Sequence, residues 1–222
     1  MITIGHRGAA GYEPENTLLS FRKAIDLKVD MIEFDVQLCK SGEAVVIHDY
    51  SLERTTTGRG FVADKTLSEL QELDAGKDQK IPTLKESLQA IGNKAKVNIE
   101  LKGKSPSVET GRIVTSFIEK GIILLENIVF SSFMIEELRI IRKLLPDARV
   151  ALLFEELPGD FYEIAAELKA SSINLNFEFL TKDIVEEIHI RGHQVYAYTV
   201  NNPADKARMK TWGVGGVFTD FP

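Results

Sequence analysis

The chain has 222 residues, 44% of them hydrophobic, which is enough for one large core and a size at which α/β barrels still form a single domain. A net charge of −6 argues against nucleic acid as a partner, and no polybasic block marks a membrane surface. The lone Cys39 excludes an internal disulfide and a thiolate metal cluster, and with no long apolar run and no leader-like start the expectation is a cytoplasmic protein without stable membrane association.

Strand-like and helical patterns alternate from end to end. Ile2–Gly5 reads as a strand, Thr17–Leu27 as an amphipathic helix and Met31–Gln37 as a second strand. Further on, the strands Val97–Lys102, Ile128–Ser131, Arg149–Phe154, Ser172–Asn176, Val195–Val200 and Gly216–Thr219 are separated by helical patterns. Those helices are Val108–Lys120, Ile135–Leu144, Phe161–Leu168, Lys182–Ile190 and Ala204–Lys210. Pro203 after Asn201-Asn202 suits a helix start, and Pro146 a helix stop. Strict alternation predicts an α/β fold, a parallel (β/α)₈ barrel. A doubly wound open sheet is the competing arrangement, but no Gly-rich phosphate loop follows the first strand.

One segment breaks the rhythm. Ala44–His48 is a strand that follows Met31–Gln37 after a short gap, with Ser41-Gly42 as a tight hairpin turn. With Lys40 paired to Glu43, Asp35 would sit opposite His48, and the hairpin would carry that histidine to the acidic residues. Residues 49–89 then read as an insertion with two short helical pieces in one domain spanning 1–222, and Lys77–Lys80 as part of a roof over the barrel mouth.

The chemistry concentrates at strand ends, where a barrel of this kind builds its active site. Glu33 and Asp35 lie two apart in an apolar run, as do Asn98, Glu100 and Lys102, so each set shares one strand face. Buried charge of this kind costs several kcal/mol unless paired or coordinated. Three carboxylates without sulfur suit one hard divalent cation, Mg²⁺ or Ca²⁺. His6 ends the first strand, and Arg7 offers a fork of donors fitted to phosphate oxygens. His6 and His48, flanking a metal and a phosphate, suit a general acid–base pair. Lys102 is either a salt-bridge partner of Glu100 or a cation aimed at phosphoryl charge. Ser131 ends another strand and could line the mouth or cap a helix, while His189 and His193 are expected on the surface.

The motifs His6-Arg7-Gly8, Pro14-Glu15-Asn16-Thr17, Glu33-Phe34-Asp35-Val36, His48-Asp49, Arg54-Thr55-Thr56, Ile81-Pro82-Thr83-Leu84, Ile99-Glu100-Leu101-Lys102, Ser131-Ser132-Phe133 and Thr219-Asp220-Phe221-Pro222 resemble the glycerophosphodiester phosphodiesterases in order and over nearly the whole chain. The resemblance implies a distorted (β/α)₈ TIM barrel with a small insertion after the second-strand hairpin. It implies hydrolysis of glycerophosphodiesters to sn-glycerol 3-phosphate and an alcohol, often through a cyclic phosphate formed by the glycerol 2-hydroxyl. It also implies Glu33, Asp35 and Glu100 as metal ligands, His6 and His48 as the catalytic pair, and Arg7 and Lys102 as phosphate contacts. Tyr198 stands where that family often has tryptophan, and is expected against the glycerol carbons. The partner is then a small-molecule glycerophosphodiester, with a homo-oligomer left open. A lysophospholipase D-like or phosphoinositide-directed enzyme is the alternative within this class, and an inactive barrel kept as a binding module is the alternative outside it.

Overall fold

The computed structural model describes all residues, Met1–Pro222. Its strands are β1 (Ile2–Gly5), β2 (Met31–Leu38), β3 (Ala44–Val46), β4 (Lys96–Leu101), β5 (Ile128–Ser132), β6 (Arg149–Phe154), β7 (Ser172–Asn176), β8 (Gln194–Tyr198) and β9 (Gly216–Thr219). The helices are α1 (Leu18–Asp26), α2 (Leu67–Glu72), α3 (Leu84–Ile91), α4 (Ser107–Glu119), α5 (Ile135–Leu144), α6 (Phe161–Leu168), α7 (Lys182–Ile190) and α8 (Pro203–Thr211). Eight strands run parallel in the order β1-β9-β8-β7-β6-β5-β4-β2, and pairing of β1 with β2 closes the barrel. β3 hangs on β2 as an antiparallel partner. The expected barrel is therefore the observed one.

Period-two alternation sorts the strand residues into two cores. Ile32, Phe34, Val36, Val97, Ile99, Leu101 and Phe130 face outward and are buried with α1, α3, α4 and α5 in the large outer core. Ile4, Met31, Val129, Ala151 and Phe218 form a separate apolar plug inside the barrel. Along β2 the inward positions climb from Met31 in that plug to Glu33 and Asp35. The acidic residues thus stand on an apolar floor.

Helix starts follow the local signals. The Thr17 hydroxyl accepts the Ser20 N–H, and Asn202 caps α8 ahead of Pro203. Gly8, at φ +89°, packs so tightly on α1 that a Cβ there would lie 2.3 Å from Ser20 Oγ.

Two sequence expectations change. The hairpin loop has three residues, Lys40–Gly42, with Gly42 at φ +91° and its N–H on the Cys39 carbonyl. Cys39 N–H therefore bonds Glu43, and Val36 pairs with Val46. A three-residue loop with a left-handed glycine replaces the two-residue turn and slips the register by one. Asp35 consequently meets Ile47, whose N–H donates to the Asp35 carbonyl at 3.1 Å, rather than His48. The second change concerns Leu84–Ile91, which the sequence reading placed in an insertion ending near residue 89. Thr83 and Glu86 form a capping box, and Leu84, Leu88 and Ile91 are fully buried in the outer core. It is a helix of the barrel's outer ring, so the inserted part stops at about residue 83. Its Leu52, Val62, Leu70 and Ile81 share a small core with Val45 and Ile47 of the hairpin.

Candidate active site

One cavity of about 560 Å³ opens at the C-terminal ends of the strands. His6, Arg7, Glu33, His48, Glu100, Lys102 and Tyr198 all line it, and Asp35 is buried beside them, 1% exposed. Every site residue expected from the sequence is brought to this one place. His48 arrives despite the register slip because β3 ends at Val46 and the chain turns. Gln37 holds that turn, its amide donating to the carbonyls of Ile47, His48 and Asp49 at 3.0, 2.9 and 2.9 Å. None of Lys77–Lys80, expected over the mouth, lines the cavity: Lys77 pairs with Glu13 at 2.6 Å, and Lys80 binds the carbonyls of Glu72 and Leu73. The apolar and aromatic part of the cavity wall is built by Phe133, Leu153, Phe177, Tyr198 and Phe218, and polar and charged residues line the rest. The Tyr198 hydroxyl donates to the Phe154 carbonyl at 2.8 Å.

Glu33, Asp35 and Glu100 each turn one oxygen toward a common point, all within 4.8 Å of one another. Glu33 Oε1, Asp35 Oδ1 and Glu100 Oε1 are buried and accept no hydrogen bond. The second oxygens of Glu33 and Asp35 are satisfied: Glu33 Oε2 takes the Arg7 N–H at 2.8 Å and Asp35 Oδ2 takes the Asn16 amide at 2.8 Å. Two of these oxygens have an ion-pair partner without a hydrogen bond: Lys102 Nζ stands 3.2 Å from Glu100 Oε1 and 3.6 Å from Asp35 Oδ1, while Arg7 Nε lies 3.6 Å from Asp35 Oδ2. Three buried carboxylate oxygens that accept no hydrogen bond, in one place and with no sulfur, fit a hard divalent cation.

The electrostatics agree with that fit. Burial, then Asp35 and Glu100, hold the Glu33 carboxyl well above the ordinary carboxylate range. Burial and Asp35 push Glu100 up to about 7. Burial works to raise Asp35 too, but Lys102, His48 and Arg7 outweigh it and hold it below its usual value. A carboxyl raised in the folded state stabilises the fold fully below its unfolded value and loses that contribution as pH rises toward 7. Cation binding needs these groups ionised. Added Mg²⁺ or Ca²⁺ is therefore expected to raise Tm more at pH 8 than at pH 5. At one hundred times Kd the gain at pH 8 is about 2.7 kcal/mol, or roughly 5–10 °C for a chain of this size. Thermal unfolding of metal-stripped protein checks this, and an equal gain at pH 5 would refute it.

Both histidines are anchored alike. His6 Nδ1 lies 2.7 Å from Asp220 Oδ1, and His48 Nδ1 2.6 Å from Asp49 Oδ1. A carboxylate on Nδ1 fixes the tautomer that leaves Nε2 free. Asp220 is held in turn by the Asn201 amide at 2.7 Å. Burial, with Arg7 and Lys102, lowers the His48 pKa against the pull of Asp35 and Asp49. Asp49, Asp220, Asn201, Glu15, Asn16, Arg54 and Gln37 were given no role from the sequence. Most stand inside the motifs quoted above, and that adjacency was the one available signal.

The comparisons with known proteins agree with this geometry. Residues 6–222 match the family model described as the glycerophosphoryl diester phosphodiesterase family. The chain is 36% identical over 249 residues to the glycerophosphodiester phosphodiesterase of Bacillus subtilis (strain 168), covering 100% of this chain and 84% of the relative. It is 36% identical over 236 residues to the glycerophosphodiester phosphodiesterase of Caldanaerobacter subterraneus subsp. tengcongensis, covering 100% and 94%. An Oleispira antarctica phosphodiesterase, solved in complex with the product sn-glycerol-3-phosphate, superposes with a TM-score of 0.94 at 29% identity, covering 100% of this chain and 94% of that one. With its closed barrel, its acidic cluster and its two anchored histidines, this chain belongs to the glycerophosphoryl diester phosphodiesterase family.

Proposed function

We infer that the chain hydrolyses glycerophosphodiesters to sn-glycerol 3-phosphate and an alcohol, with one divalent cation, Mg²⁺ or Ca²⁺, on Glu33, Asp35 and Glu100. The observation that carries the reading is the meeting, in one cavity, of three buried carboxylate oxygens that accept no hydrogen bond with two carboxylate-anchored histidines and two cationic side chains. A cation bound there supplies polarisation of a phosphoryl oxygen and cancels the mutual repulsion of the carboxylates. Arg7 and Lys102 bind the non-bridging phosphate oxygens and favour the charge that develops on them. His6 and His48 divide the proton work through Nε2: one accepts from the attacking hydroxyl, the other donates to the departing alcohol. Tyr198 gives the glycerol carbons an apolar face, its hydroxyl kept neutral by burial, with the charges of Glu155 and Glu100 adding to the effect.

Substrate size follows from the cavity. About 560 Å³ holds a whole deacylated diester, whereas a long acyl chain would project past Glu155 and Glu178 at the opening. These two carboxylates stand after β6 and β7, across the barrel from Arg7 and His48. Apolar area left in water contributes nothing at ~25 cal/mol per Å². The test is release of glycerol 3-phosphate from a panel of glycerophosphodiesters with added divalent metals. In competition below KM, glycerophosphoethanolamine and glycerophosphocholine are expected to show higher kcat/KM than lysophosphatidylcholine. Preference for the lysolipid would move the reading to a lysophospholipase D-like enzyme, with Phe133 and Phe177 as its acyl wall. No release from any diester would refute the reading itself.

A further inference from the structure

Glu15 and Arg54, from the motifs Pro14-Glu15-Asn16-Thr17 and Arg54-Thr55-Thr56, have no part in the chemistry above, and the fold joins them. Arg54 Nε and Nη2 donate to Asp49 at 2.6 and 2.9 Å, while Nη1 and Nη2 donate to Glu15 at 2.8 and 2.8 Å. Glu15 Oε1 also accepts from Arg7 Nη1 at 2.7 Å. An alternating chain of charge therefore runs Arg7, Glu15, Arg54, Asp49, His48. It starts at a phosphate-facing guanidinium, crosses the inserted segment and ends on an imidazole of the cavity. Besides His48, Arg54 is the only side-chain partner of Asp49. Asp49 Oδ1 is shared by both, at 2.6 Å from His48 Nδ1 and 2.9 Å from Arg54 Nη2.

We propose that Arg54 is a positioning residue for the reaction, clamping Asp49 so that His48 keeps its tautomer and aims Nε2 into the cavity, and linking that imidazole to Arg7 through Glu15. The proposal rests on the reading of His48 as a proton carrier. Two physical features support it. A bidentate guanidinium fork fixes the plane of a carboxylate, which a single point charge does not. Arg54 also draws negative charge from Asp49, which limits how strongly Asp49 holds the His48 proton; burial opposes both partners in lowering the Asp49 pKa, and the Arg54 hydrogen bonds are the largest influence on it. The inserted segment thus contributes a residue to catalysis although Arg54 is about half exposed and touches no substrate.

The groups facing His48 are Asp49 on its own segment, Asp35 on β2, Arg7 after β1 and Lys102 after β4. With those unchanged, Arg54→Met removes one cation and the fork. Its kcat is expected to fall at least about tenfold with KM within about threefold, a share of the ~10²–10⁴ available to one acid or base. One limb of its pH–rate bell should move to higher pH, because Asp49 then holds the imidazolium more tightly, while Arg54→Lys should keep the limb and still lose kcat. Asp49→Asn and the double variant Asp49→Asn with Arg54→Met should be equally slow, since both changes act through one carboxylate. Lys77→Met cuts the other tie between the same two segments, the Lys77–Glu13 pair, and should leave kcat and the pH profile as they were. Wild-type kcat and an unmoved limb in Arg54→Met would overturn the proposal, as would full additivity with Asp49→Asn. His48→Ala, assayed beside them, separates the two failures: if that variant keeps its activity, the reading of His48 is wrong rather than the role of Arg54.

Discussion

Replacing His6 or His48 by alanine is expected to lower kcat by ~10²–10⁴-fold, the range of one general acid or base. The geometry makes the two equivalent in kind. Each Nδ1 is bound to a carboxylate, Asp220 or Asp49, and each ring lines the same cavity. The double variant should lose less than the product of the single losses, because residues acting as a unit are not additive. The pH–rate profile should be bell-shaped and report the pair rather than either ring. Burial lowers the His48 pKa, so the imidazole is mostly neutral at pH 7 and ready to accept a proton. Steady-state kinetics on purified variants of unchanged Tm decide the matter, and near-normal kcat in either single variant removes that histidine from the mechanism.

Stripping the divalent cation is expected to abolish turnover, and Mg²⁺ or Ca²⁺ to restore it. Three carboxylates with oxygens within 4.8 Å of one another resist joint ionisation without a cation, as the raised carboxyls of Glu33 and Glu100 record. Losing several kcal/mol of charge stabilisation corresponds to ~10³-fold or more in rate. Glu33→Gln and Glu100→Gln should weaken metal binding and activity together, while leaving the barrel folded, since an amide relieves the repulsion it replaces. Full activity after exhaustive chelation, with no metal found by elemental analysis, would end the metal assignment.

Much of this site is local information. A strand alternates every two residues, so the shared faces of Glu33 with Asp35 and of Asn98 with Glu100 follow from spacing alone, whatever the strands pair with. The eight-fold alternation of strand and helix is equally local, and with it the barrel. The hairpin register differs from the sequence expectation because one extra loop residue costs little locally yet shifts the pairing of the whole strand. Leu84–Ile91 reads as one of the helical pieces of the insertion because the stretch before it is polar and turn-rich, although the Thr83–Glu86 capping box and the buried face of a full outer-ring helix are already in the sequence. The partners of the functional groups were beyond such reading. His6 meets Asp220 across 214 positions and Arg54 meets Glu15 across 39, contacts made only when the last strand closes on the first and the insertion folds over β2. The sequence by itself determined which side chains share a strand face, because backbone periodicity acts over two residues. The closure of the barrel decided which carboxylate anchors each imidazole, because hydrogen bonding acts over 3 Å of space regardless of distance along the chain.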